Sequence, residues 1–188
     1  MKKFILVLLF LFCKPKSDNE LQLLSINNKL GNEEAILLIS KKIFGDKWKN
    51  LEVEKTEQGL NQVYINYGNH LAYTFYTENN YKEKIQFEVA RNLLIFLYYT
   101  RNKSIDSIRI SLTKPYHVKR ENKESVEDFE IFRAKVFKKD IEKLLEENSI
   151  RYIMNDDKQY TSNVKEILNQ LRLAWKIELN ELDRIEIK

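Results

Sequence analysis

The sequence predicts an α+β fold: one domain with a mainly antiparallel sheet and helices packed on it. Three observations carry this expectation. Apolar residues recur at helical spacing over 82–101, with Ile85, Val89, Leu93, Phe96 and Leu97 at three- and four-residue steps. Several shorter stretches alternate with period two, as half-buried strands do. Helical and strand-like stretches are interleaved through the chain, which favours helices laid against one sheet.

Taken in order, residues 14–31 are polar with scattered leucines and read as a short tether followed by a weak helix. Asn32, then Glu33 and Glu34, has the form of a helix start, a capping side chain followed by acids at the positive end of the dipole. That helix carries Ala35, Ile36, Leu38, Ile39 and Ile43, and Gly45 ends it. Leu51 and Val53 alternate with glutamates, Gly59 marks a turn, and Val63, Ile65 and Tyr67 alternate with Gln62, Tyr64 and Asn66. Gly68-Asn69 reads as a hairpin leading to a strand through Leu71, Tyr73 and Phe75.

The helix over 82–101 is apolar almost all round in its second half, so it is expected to be buried against the sheet. A strand follows over 105–112, with Pro115 expected to stop it and 116–126 expected as a polar loop. A return strand over 129–137 turns Phe132, Ala134 and Val136 inward. Asp140 is expected to open a helix with Ile141, Leu144 and Leu145, and Tyr152-Ile153-Met154 a short strand before a turn at Asn155-Asp156-Asp157. Thr161 or Ser162 caps a last helix striped by Val164, Leu168, Leu171 and Trp175. Residues 182–187 alternate like a strand and echo 105–110.

The chain's 32 basic and 28 acidic residues are interspersed, which gives no case for nucleic acid. Cys13 is the single cysteine, so an internal disulfide is excluded and stability rests on packing. His70 and His117 stand far apart with no second ligand at metal spacing, and both read as solvated turn residues. The acids Glu121, Glu124, Glu127, Asp128 and Glu130 lack the spacing and central glycine of a calcium loop. The four glycines never cluster into a phosphate loop, and no G-x-S-x-G elbow occurs. No metal, no cofactor and no catalytic residue is therefore expected, and the chain is read as no enzyme. Tyr64, Tyr76 and Tyr81 are candidates for an exposed aromatic patch opposite Ile65 and Phe75.

The amino terminus carries the clearest functional signal. Lys2 and Lys3 precede an uninterrupted apolar run from Phe4 to Phe12, which stops at Cys13 and the polar stretch Lys14-Pro15-Lys16. That order is the pattern of a secretory signal peptide, and the run is too short to span a bilayer. The stretch Phe10-Leu11-Phe12-Cys13 resembles the lipobox of bacterial lipoproteins, in the looser form found in spirochaete-like members of that family. The family usually has Leu and two small residues before the cysteine; this chain has Phe, Leu and Phe. The resemblance implies cleavage before Cys13 and acylation of its thiol, palmitate-like chains then holding the protein on a membrane. It implies residues 1–12 as signal peptide, 13–31 as lipidated N-terminus and tether, and 32–188 as a single α+β domain. Function is accordingly expected to be that of a membrane-anchored envelope lipoprotein, exported and attached to a bacterial membrane through Cys13. Its domain is expected to be a non-catalytic binding module with a protein partner. The competing readings are an exported enzyme with an unrecognised site and a structural subunit of an envelope assembly.

Overall fold

The computed structural model describes residues 16–68, 78–120, 123–156 and 159–182. Cys13, His70, Tyr76 and the expected strands over 71–75 and 183–187 lie outside them. The elements are α1 (Lys16–Ile26), α2 (Asn32–Phe44), a 3-10 turn (Gly45–Lys47), β1 (Trp48–Lys55) and β2 (Asn61–Gly68). They continue with α3 (Glu78–Tyr99), β3 (Ile105–Arg120), β4 (Lys123–Phe137) and a second 3-10 turn (Lys138–Leu144). Last come α4 (Glu147–Asn155), α5 (Ser162–Ala174) and β5 (Lys176–Asn180). The result is an α+β domain in which five strands, ordered β1-β2-β3-β4-β5, form one mostly antiparallel sheet with helices on it.

The pair β2–β3 is parallel, and α3 is the crossover that a parallel connection requires. Both edges of β2 are thereby occupied, by β1 and β3, so the hairpin expected at Gly68-Asn69 has no free edge of β2 to fold back on. Val63, Ile65, Tyr67, Ile108, Ile110, Phe132, Ala134 and Val136 all turn to the helix side and are buried there. They meet Ile36 and Ile39 of α2, the apolar second half of α3, and Val164, Leu168 and Leu171 of α5. This is the core that the period-two and 3.6-residue patterns foretell.

Several expectations are corrected. Pro115 does not stop β3, which runs on to Arg120, and the expected loop 116–126 is instead the outer part of a β3–β4 hairpin. Pairing with β2 ends at Thr113, so among the described residues Pro115 lies where β3 has only β4 beside it. A missing N–H is tolerated at such an edge. His117 is accordingly a strand residue, opposite Val126. The helix expected from Asp140 is a 3-10 turn. Residues 152–154 are helical, because Ile150 and Ile153, three apart, are the buried pair while Tyr152 is 57% exposed. The last described strand is 176–180, where Ile177 pairs with Ala134 at the sheet edge, and the strand expected over 182–187 lies outside the described residues beyond Leu182. The echo of 105–110 therefore has no described counterpart strand.

Helix starts also differ from expectation. Gly31, not Asn32, is the N-cap of α2, and no side chain caps it. Thr161 is the N-cap residue of α5, as expected, but its side chain makes no capping hydrogen bond; the Asp156 carboxylate accepts the Thr161 N–H at 2.8 Å, together with that of Tyr160. Those bonds outweigh the cost of burial and hold the Asp156 carboxyl below its ordinary range, with Arg91 helping.

Candidate functional site

Among the described residues the five strands leave one sheet face without helices, and the side chains on that face are mostly polar. Register places Glu52, Tyr64, Arg109, Lys135 and Lys176 on one rung across all five strands. The Tyr64 hydroxyl donates to Glu54 at 3.0 Å, and the Arg109 guanidinium lies 5.0 Å from the Tyr64 ring. Arg109 Nε also pairs with Glu178 at 2.7 Å, reaching over β4 to β5. Glu130 is bound by Arg133, whose Nε donates at 2.7 Å, and by the Ser111 hydroxyl. Burial alone would raise the Glu130 carboxyl, but the hydrogen bonds from Arg133 and Ser111 and the charges of Arg133 and Arg109 hold it below the usual range. The hydrogen bond to Glu54 is the main reason that the Tyr64 phenol is pushed up. The ion pairs Arg109–Glu178 and Arg133–Glu130 thus lie on this face, the first linking β3 to β5.

Tyr64 and Tyr81 do not share a patch. Tyr64 lies on the bare face, Tyr81 is buried in the core from α3, and Tyr76 lies outside the described residues.

The more distinctive surface is the β3–β4 ribbon. A bulge opposite Leu112 and Thr113 marks where it leaves the sheet. From Pro115 outward β3 has no β2 beside it, and β5 pairs with β4 no further than Phe132. The two strands thus stand as a two-stranded arm with open edges among the described residues. Tyr116 and Phe129 are exposed on it and stack edge-to-face with ring centroids 5.8 Å apart. Val126 is exposed further out. The sequence pattern alone places Tyr116 in a loop and Phe129 at a strand start. The alternation of Tyr116 with Val118 was the signal available, masked by the charges around it.

At the root of the arm Lys114 is buried, with only 4% of its surface exposed. It lies near Glu88 of α3 and Lys47, which pair with each other at 2.6 Å. Burial is the main cause that lowers the Lys114 ammonium to about 8; Glu88 opposes the shift and Lys47 adds to it. Lys49 and Asp128 form a further ion pair between β1 and the arm.

A cavity of about 400 Å³ opens at the start of α2, lined among others by Asn32, Glu33, Glu34, Lys55, Asn61 and Ser104. Its charges are mixed, and the Asn61 Oδ1 is buried without a hydrogen-bond partner among the described residues. Among those residues no group of three His, Cys, Asp or Glu side chains is placed to hold a metal ion. No described helix is long and apolar enough to cross a membrane.

Compared with known proteins, the chain matches no family model, no curated protein and no solved structure.

Proposed function

We propose that the chain is an exported envelope lipoprotein, held on a bacterial membrane by acyl chains on Cys13, whose domain binds a protein partner and catalyses nothing. The anchor rests on the charged start, the apolar run and the lone cysteine that ends it. The observation that carries the binding role is the β3–β4 arm, whose edges are open among the described residues and which carries the exposed pair Tyr116 and Phe129. A solvent-facing pair of aromatic rings is costly to leave in water, and open strand edges are a ready template for a partner strand. Exposed aromatics of this kind serve as anchors in protein interfaces.

The anchor is tested by mass spectrometry of the native N-terminus, where a diacylated Cys13 is expected as the first residue. Cys13→Ala should move the protein from the detergent phase to the aqueous phase, and unchanged partition removes the anchor. The binding role is tested in intact cells with a photo-crosslinking side chain at position 129. A discrete adduct is expected there and not at Leu173, which is 88% exposed on α5. Adducts of equal yield at both positions, or at neither, overturn the role assigned to the arm.

A further inference from the structure

Helix α1 divides its apolar side chains between two surroundings. Leu21 and Ser25 are buried against the domain, and Leu24 packs half-buried on the core. The helix is docked on α2 and α3, and its Glu20 is paired with Lys42 of α2. Leu23 and Ile26 lie three residues apart on the outward face and are 64% and 59% exposed. One such residue on a surface would need no explanation. Two on one face matter here because of where the chain places them.

Only Lys14 and Pro15 separate Cys13 from the first residue of α1. Three residue steps reach at most about 11 Å, however the chain runs. That is roughly the diameter of one helix. If the thiol of Cys13 carries acyl chains in the hydrocarbon layer, the start of α1 is held within one helix diameter of the lipid, and α1 is fixed to the rest of the domain by Leu21. A domain on so short a leash has little room to stand clear of the surface.

We propose that α1 is a membrane-contacting helix: Leu23 and Ile26 enter the boundary between headgroups and acyl chains in the leaflet that holds Cys13, and so fix the domain's orientation. This rests on the lipid anchor proposed above. Lys14 and Lys16 in the connecting sequence and the exposed Lys29 beyond the helix suit the phosphate level of a phospholipid surface. The domain is then a body seated on the bilayer, not one swinging from it.

The lone cysteine gives a direct test. Acylation consumes the Cys13 thiol, so the lipidated full chain carrying Leu23→Cys, Ile26→Cys or Leu173→Cys holds one free thiol. Each is labelled with an environment-sensitive dye and the protein reconstituted into phosphatidylcholine–phosphatidylglycerol vesicles that contain a lipid-borne quencher. Labels at 23 and 26 are expected to be quenched at least about twofold more than the label at 173. Equal quenching at all three positions, in protein that floats with the vesicles, overturns the contact of α1 and leaves the anchor standing. Protein that fails to float overturns both.

Discussion

Gly68 and Thr113 meet across the parallel β2–β3 pair with no room for a side chain between them. A Cβ built on Gly68 would lie 2.3 Å from the Thr113 carbonyl oxygen and 2.6 Å from its Oγ1. The Thr113 hydroxyl in turn donates to the Tyr67 carbonyl at 3.4 Å. This contact is at the last described pair of β2 with β3, next to the root of the β3–β4 arm. Gly68→Ala is expected to destabilise the fold by about 2–4 kcal/mol, because backbone on β3 has to move. Urea unfolding of the two proteins checks it. A variant as stable as the parent would show that the strands separate there at no cost.

Ile153 and Tyr152 are neighbours in sequence with opposite fates in α4. Ile153 is fully buried and Tyr152 faces solvent. Ile153→Ala is expected to cost about 2–4 kcal/mol through the cavity left behind, and Tyr152→Ala less than about 1 kcal/mol. In a strand exposed on one face the same order could hold, so the pair Ile150 and Ile153 decides. Ile150→Ala is expected to match Ile153→Ala, since residues three apart share a helix face and oppose each other in a strand.

The same contrast explains what was legible in the sequence. Residues 85–97 and 63–67 announce themselves because one environment, the core, selects every third or fourth residue in the first case and every second in the second. From Pro115 outward the arm exposes Tyr116, Val126 and Phe129, so no single buried face selects an alternation there, and its charges and proline read as a loop. Residues 147–155 span little more than two helical turns, and the three consecutive residues Tyr152-Ile153-Met154 mimic a strand at that length. The parallel pairing of β2 with β3 depends on where α3 lies, which no local pattern encodes. Lys114 shows the limit for the site. Between Thr113 and Pro115 it reads as surface charge, and only the tertiary fold, which brings Glu88 of α3 and Lys47 near it, makes it a buried amine.

Glu130 ties the root of the arm to the bare face of the sheet through Ser111 and Arg133. Its carboxyl is held below the ordinary 4.5, so its contribution is fully present above that value and is lost as pH falls through the lowered one. Glu130→Gln keeps the shape and removes the charge. It is expected to cost about 1 kcal/mol near neutral pH, a modest value because Arg133 is partly in water. The gap between parent and variant should close in acid. Thermal unfolding of both proteins across pH 7 to pH 3, roughly the range in which a lowered carboxylate titrates, measures it. A gap that does not narrow would place the stabilisation in shape and not in charge.

Lys114 gives a dependence of the same sign in an alkaline window, this time because its charged form is the costly one. Unfolded, its amine holds a proton up to about the ordinary 10.5; folded, it releases it near 8. Between those values the unfolded chain binds more protons, so folding becomes more favourable as pH rises through the window. Below 8 the cost of burying the ammonium is present in full, and above 10.5 it is gone. Lys114→Met removes the titrating group at nearly the same length. Stability of the parent relative to this variant is therefore expected to rise by up to about 3 kcal/mol between pH 8 and pH 10.5. Other lysines titrate in the same range, but they do so in both proteins and cancel in the difference. Urea unfolding of parent and variant at the two pH values measures it. A constant difference would mean that Lys114 keeps its proton in the folded protein, with Glu88 outweighing burial at the root of the arm.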